Sequence, residues 1–146
     1  ERQPFFLNGT ELDEILKWKL RGQYGRQAKL REANSDDLIR TVTGLALTIT
    51  HEDNDYELEL RTGILCTMRG IGVPVASSIL SLIFPDKYCV VDFRGWRQVF
   101  DEDKRFFSLP DYKKYLQEVR SLAEQLDWPI QEVDLAIWEY DKRANG

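Results

Sequence analysis

The sequence predicts an all-α protein, and three observations carry that prediction. Apolar residues recur at three- and four-residue spacing in one segment after another, the pattern of helices that each bury one stripe. Helix start signals precede several of those segments: Ser35-Asp36-Asp37, Val73-Pro74, Ser108 with Asp111, and Trp128-Pro129. The one stretch with strand character, Tyr88-Cys89-Val90-Val91, has no second stretch to pair with. It reads as a buried connector instead.

Taken in order, Asn8 or Thr10 caps a first helix whose stripe is Leu12, Ile15, Leu16, Trp18 and Leu20. Gly22 and Gly25 loosen or end it. Ser35 opens a second helix through Leu38, Ile39, Val42, Leu45, Ala46 and Ile49. A polar turn, His51–Asp55, leads to a third through Leu60, Ile64, Leu65 and Met68. Arg69-Gly70-Ile71-Gly72 breaks that helix and Val73-Pro74 starts the next, since a first-turn proline forfeits no helical bond. Its residues Val75, Ala76, Ile79, Leu80, Leu82, Ile83 and Phe84 are nearly all apolar, which predicts the most buried helix. Pro85-Asp86 ends it, the connector follows, and a helix starts at Asp92. Ser108 or Asp111 caps the segment through Tyr112, Tyr115, Leu116, Val119, Leu122 and Leu126, and the last helix runs through Val133, Ile137 and Trp138. The expectation is six to seven helices in a single domain spanning 1–146, because no repeat, low-complexity tract or Gly/Ser linker divides the chain.

Composition narrows the function classes. The longest uncharged run, Gly70–Pro85, is 16 residues and holds Gly, Pro and Ser, whereas a membrane span needs about 20 apolar residues. A single histidine, His51, makes a zinc or catalytic-histidine site hard to build. Cys66 and Cys89 lie in apolar surroundings far from CxxC spacing, so they are expected as reduced core thiols of a cytoplasmic protein without metal or cofactor. No charged-then-apolar leader opens the chain. The net charge of −5 is segregated. Residues 1–31 carry 7 basic and 4 acidic groups, 32–68 carry 2 and 8, 69–100 carry 4 and 2, and 101–146 carry 7 and 11. Two basic segments that met in space would offer an anionic ligand a surface. Helix faces alternating in sign give the same sums.

The sharpest local signal is Gly70-Ile71-Gly72 between two apolar helices. The glycines permit a tight turn and leave bare N–H groups at the start of the following helix, a phosphate-binding arrangement. An ordinary helix-to-helix turn is the structural alternative. Met68-Arg-Gly-Ile-Gly-Val-Pro-Val-Ala76, followed after an apolar helix by Val91-Asp-Phe-Arg-Gly-Trp-Arg97, resembles the helix-hairpin-helix DNA glycosylase superfamily that includes endonuclease III and 8-oxoguanine glycosylase. The resemblance covers roughly residues 60–100. It implies phosphate contact by Arg69, Gly70, Ile71, Gly72, Val73 and Val75, and places Asp92 at the family's catalytic aspartate. Pro74 stands where bifunctional members carry a lysine nucleophile, so hydrolysis without strand cleavage is implied. Arg94 replaces the family's histidine, and the four cysteines of iron–sulfur members are missing.

Breaking a C1′–N bond makes the sugar cationic, and a carboxylate beside C1′ stabilises that charge. Asp92 suits this role, or else only caps its own helix. Arg94 and Arg97 flank the second motif as DNA-backbone candidates; Arg97 suits an ion pair with Asp101 or Glu102 equally. Lys17 and Lys19, with Arg21 and Arg26, interleave with Trp18 and Tyr24 as a phosphate-tracking face or a solvated one. Trp18, Tyr24, Trp96 and Trp138 are candidate walls for a flipped base, or core residues. The sequence thus offers a monofunctional DNA glycosylase, a non-catalytic DNA-binding hairpin module, or a helical protein-interaction domain.

Overall fold

The computed structural model describes residues 5–20 and 31–145, with the backbone alone at 19 and 20. These residues form seven α-helices and no strand: α1 (Gly9–Leu20), α2 (Asp36–Thr48), α3 (Asn54–Leu65), α4 (Val73–Ile83), α5 (Phe93–Phe100), α6 (Leu109–Leu126) and α7 (Ile130–Asn145). The protein is all-α. The expectations for Gly22 and Gly25 fall outside the described residues.

Side chains read from the sequence set the helix starts. Asn8, rather than Thr10, caps α1: its Oδ1 accepts the Glu11 N–H (2.9 Å) while Glu11 Oε1 accepts the Asn8 N–H (3.0 Å). Ser35 accepts the Leu38 N–H at the head of α2, and Ser108 forms a reciprocal capping box with Asp111 at α6. Two boundaries differ from expectation. α3 stops at Leu65 because Cys66 caps it and the Thr67 hydroxyl donates to the Ile64 carbonyl (2.6 Å), so Met68 is buried in a turn rather than a helix. In α4, burial is continuous only from Val75 to Ser81; Leu82 is 53% exposed as the helix surfaces into the polar turn after Phe84.

The chain divides into two compact units, Glu1–Ala76 and Ser77–Gly146, with the division inside α4, where no linker marks it. In the first, α2 packs on α1 and α3. Leu12, Ile15 and Leu16 of α1, Ile39, Ala46 and Leu47 of α2, and Leu58 and Leu65 of α3 form its core. Thr43 is also buried, its hydroxyl oxygen accepting the Leu7 N–H (2.8 Å). In the second unit, α7 packs against α5 and α6 around Trp96, Tyr112, Tyr115, Leu116, Val119 and Val133. No described helix is long and apolar enough to cross a membrane.

Candidate nucleic-acid interface

Residues 66–72 form the turn between α3 and α4. Gly70 has φ 78°, in the left-handed region, so the backbone itself calls for glycine there. Gly72 is different. A Cβ added at 72 would meet only Pro74 Cδ at 3.9 Å, an ordinary contact. Gly72 is exposed and its carbonyl accepts the Ala76 N–H (2.9 Å), so it stands immediately before the first turn of α4. The N–H groups of Val73 and Val75 in that first turn have no intrahelical acceptor, and Pro74 supplies none. Arg69 is exposed, whereas Ile71 and Val75 are buried, and the Ile71 N–H donates to the Met68 carbonyl (3.3 Å).

A residue that sequence reasoning did not single out fixes this turn. Asn34 accepts the Arg69 N–H with Oδ1 (3.0 Å) and donates to the Arg69 carbonyl from Nδ2 (2.9 Å). The pair clasps residue 69 from outside the turn. No local pattern marks an amide whose partner lies 35 residues along the chain.

In the second unit, the connector before Asp92 is held by side chains instead of a partner strand. Arg120 Nη2 donates to the Lys87 carbonyl (2.7 Å) and the Tyr112 hydroxyl to the Cys89 carbonyl (2.8 Å). Asp134 Oδ2 accepts the Val90 N–H and Ser77 Oγ the Val91 N–H, both at 3.0 Å. These bonds satisfy a buried extended segment that no β-ladder serves. Burial pushes the Cys89 thiol and the Tyr112 hydroxyl well above their ordinary pKa values, so both stay neutral.

The connector delivers Asp92 to the N-terminus of α5, half-buried, with Oδ1 accepting the Gly95 N–H at 2.9 Å. Asp92 is therefore an N-cap. Its Oδ2 makes no hydrogen bond among the described residues. Gly95 is tightly enclosed: a Cβ there would come within 2.8 Å of Tyr115 Cζ and nearer still to its hydroxyl, which donates to Asp134 Oδ1 (2.9 Å).

Arg94 and Arg97 converge on Asp141, a fully buried carboxylate on α7. Arg97 approaches it at 2.9 Å and 2.6 Å, Arg94 at 3.2 Å, and Gln98 Nε2 at 2.8 Å. Hydrogen bonding from Arg97, reinforced by Gln98 and Arg94, holds the Asp141 carboxyl well below the usual carboxylate range. The ion-pair partners expected for Arg97 are replaced: Asp141 and, at 3.8 Å, Asp103 take that role. Glu102 instead accepts the Trp96 indole N–H (3.0 Å), and Asp101 is the left-handed C-cap of α5.

Among the described residues of the second unit, no ring contact joins Trp96 to Trp138. Trp96 is buried among Phe100, Phe107 and Tyr115. Trp138 is half-buried beneath Arg94 and Lys142. Trp18, in the first unit, is 57% exposed, and Lys17 beside it pairs with Asp13 (3.2 Å). Tyr24, Arg21 and Arg26, together with the Lys19 side chain, lie outside the described residues. Two cavities, of about 210 Å³ beside Leu16, Asn34 and Ile71 and about 490 Å³ beside Val99, Leu122 and Ile137, include none of the tryptophans.

No protein-family model, curated protein or solved structure matches this chain.

The residues present can do two things chemically. The exposed turn at 69–73 offers backbone N–H groups and one arginine to an anion. Asp92 offers a carboxylate with one oxygen fixed by its helix and the other open. Among the described residues no group of three His, Cys, Asp or Glu side chains is placed to hold a metal.

Proposed function

We propose that the chain binds duplex DNA through the turn at 69–73 and, as a monofunctional DNA glycosylase, hydrolyses the N-glycosidic bond of a damaged or modified base using Asp92. The observation that carries the reading is that two features suited to this chemistry, one in each unit, lie within one short stretch of sequence. A turn with Gly70 in the left-handed conformation leaves the exposed start of α4 unobstructed at Gly72, and the connector ends on a half-buried aspartate with one free oxygen. A phosphate lying on the turn accepts hydrogen bonds from Gly72 and Val73 while Arg69 neutralises its charge. In the reaction, the oxygen of water bonds to C1′ as the C1′–N bond breaks, the electron pair of that bond leaves with the base, and the proton lost by the water neutralises the departing base. The Asp92 carboxylate offsets the positive charge on the sugar. Pro74 has no side-chain amine, so no Schiff base forms and the strand stays intact.

A second reading is a non-catalytic DNA-binding module. Two observations favour it: Asp92 serves α5 as its cap, and Trp96 is sealed in the core. Base release separates the two. Duplexes carrying a panel of damaged and modified bases are incubated with wild type and Asp92→Asn, then treated with alkali. Asparagine caps helices as well as aspartate does, so the variant folds. Alkali-dependent cleavage by wild type alone establishes the glycosylase. Binding across the panel without cleavage favours the module. Gly72→Arg, which has room for its Cβ, is expected to abolish binding while leaving thermal stability within about 0.5 kcal/mol; unchanged affinity at matched salt would refute the phosphate site.

A further inference from the structure

In the second unit, α5, α6 and α7 leave an open cleft of about 490 Å³. Val99 of α5, Leu122 of α6 and Ile137 of α7 line it, each half-buried. A cleft of this volume suits a small molecule, and one with an apolar body would take the exposed part of these side chains out of water. Every polar side chain on the rim can accept a hydrogen bond, and none has a donor among the described residues. Glu118 is exposed and forms neither an ion pair nor a hydrogen bond there. Gln98 commits its Nε2 to Asp141 (2.8 Å), which leaves its Oε1 open. The Tyr140 hydroxyl is likewise without a partner. No described lining residue is basic, so the cleft carries the single negative charge of Glu118. Lys114, one turn earlier on α6, lies over the Phe100 ring (4.5 Å to its centroid) and does not pair with Glu118.

We propose that this cleft binds a small primary alkylammonium, its apolar chain against Val99, Leu122 and Ile137 and its charged head on the Glu118 carboxylate and the Gln98 side-chain carbonyl. An ammonium carries three donors and no acceptor, which is the complement of this rim. A neutral apolar ligand would take water from Glu118 and offer it no donor in exchange, and an anion would meet a like charge. The site does not depend on the DNA-binding reading above, and every residue that forms it belongs to the second unit.

The test is a set of methyl-resolved NMR titrations of the whole chain with hexylammonium, hexanol and hexanoate at neutral pH. Hexylammonium is expected to shift the methyls of Val99, Leu122 and Ile137 saturably, while those of the buried Leu12 and Leu47 in the first unit stay unmoved. It should bind about fivefold more tightly than hexanol, the upper range of one exposed ion pair, and hexanoate should bind weakest. Glu118→Gln, a change at an exposed position outside the core, removes the preference for the ammonium and leaves hexanol binding as in wild type. Glu118→Lys reverses the order in favour of hexanoate. Equal binding of hexylammonium and hexanol by wild type, or a preference that survives Glu118→Gln, overturns the role of Glu118 and the proposal with it. Shifts that never saturate, or that spread equally over both units, overturn the cleft as a site.

Discussion

Replacing Gly95 by alanine tests the enclosure around Asp92 most directly. In a helix, Gly→Ala ordinarily stabilises by about 0.5–1 kcal/mol. At 95 the added methyl meets the Tyr115 ring, with Cζ within 2.8 Å and Cε1 within 3.2 Å. That ring is fully buried and its hydroxyl is bonded to Asp134, so it has no free direction to move. Over-packing costs about 1–3 kcal/mol. Displacing the hydroxyl from a carboxylate costs about 1.5–3 kcal/mol more. Gly95→Ala is therefore expected to destabilise by about 1.5–5.5 kcal/mol net. Gly63, in the exposed part of α3, is the control: nothing lies within 4 Å of its added Cβ, so Gly63→Ala should stabilise by about 0.5–1 kcal/mol. Urea unfolding followed by far-UV circular dichroism gives both values. Tyr115→Phe removes the nearest atom and should recover about 1 kcal/mol or more of the Gly95→Ala loss in a double-mutant cycle. If Gly95→Ala unfolds within about 0.5 kcal/mol of wild type, the enclosure is not rigid and the reasoning fails.

Two further outcomes follow from the same geometry. Asp141→Asn should cost about 2–3 kcal/mol at neutral pH, as Arg97 and Arg94 lose a charged acceptor. The native carboxyl lies below its unfolded value of about 4, so its contribution is complete above that pH and fades as pH falls through the folded-state value. The variant's stability deficit should therefore shrink in strong acid, measurable as converging unfolding midpoints; a constant deficit would refute the ion-pair account. In the turn between α3 and α4, Gly70→Ala should destabilise by about 1 kcal/mol because φ is 78° there, while Gly72→Ala should be near neutral. Equal effects in thermal melts would show that the two glycines are not distinct.

Local physical chemistry wrote much of this protein into its sequence. A capping side chain bonds an N–H three residues away, so Ser35, Asp92 and Ser108 announce helix starts without reference to the rest of the fold. Apolar periodicity likewise marked the buried Leu12, Ile15 and Leu16 of α1 and Tyr112, Tyr115, Leu116 and Val119 of α6, but Trp18, Leu38, Leu45 and Leu126 of the stripes read from the sequence are exposed; the lack of a partner marked Tyr88–Val91 as a connector. The glycines at 70 and 72 were both visible, but their different backbone demands were not. What tertiary structure alone decided are the partnerships across long separations. Asn34 clasps residue 69, Asp134 holds both Val90 and Tyr115, and Asp141 draws in Arg94, which the sequence offers to DNA, and Arg97, which it offers equally to nearer acids or to DNA. A polar side chain carries no periodic mark of its distant partner. Only the folded chain, by removing water from these groups, makes one partner necessary.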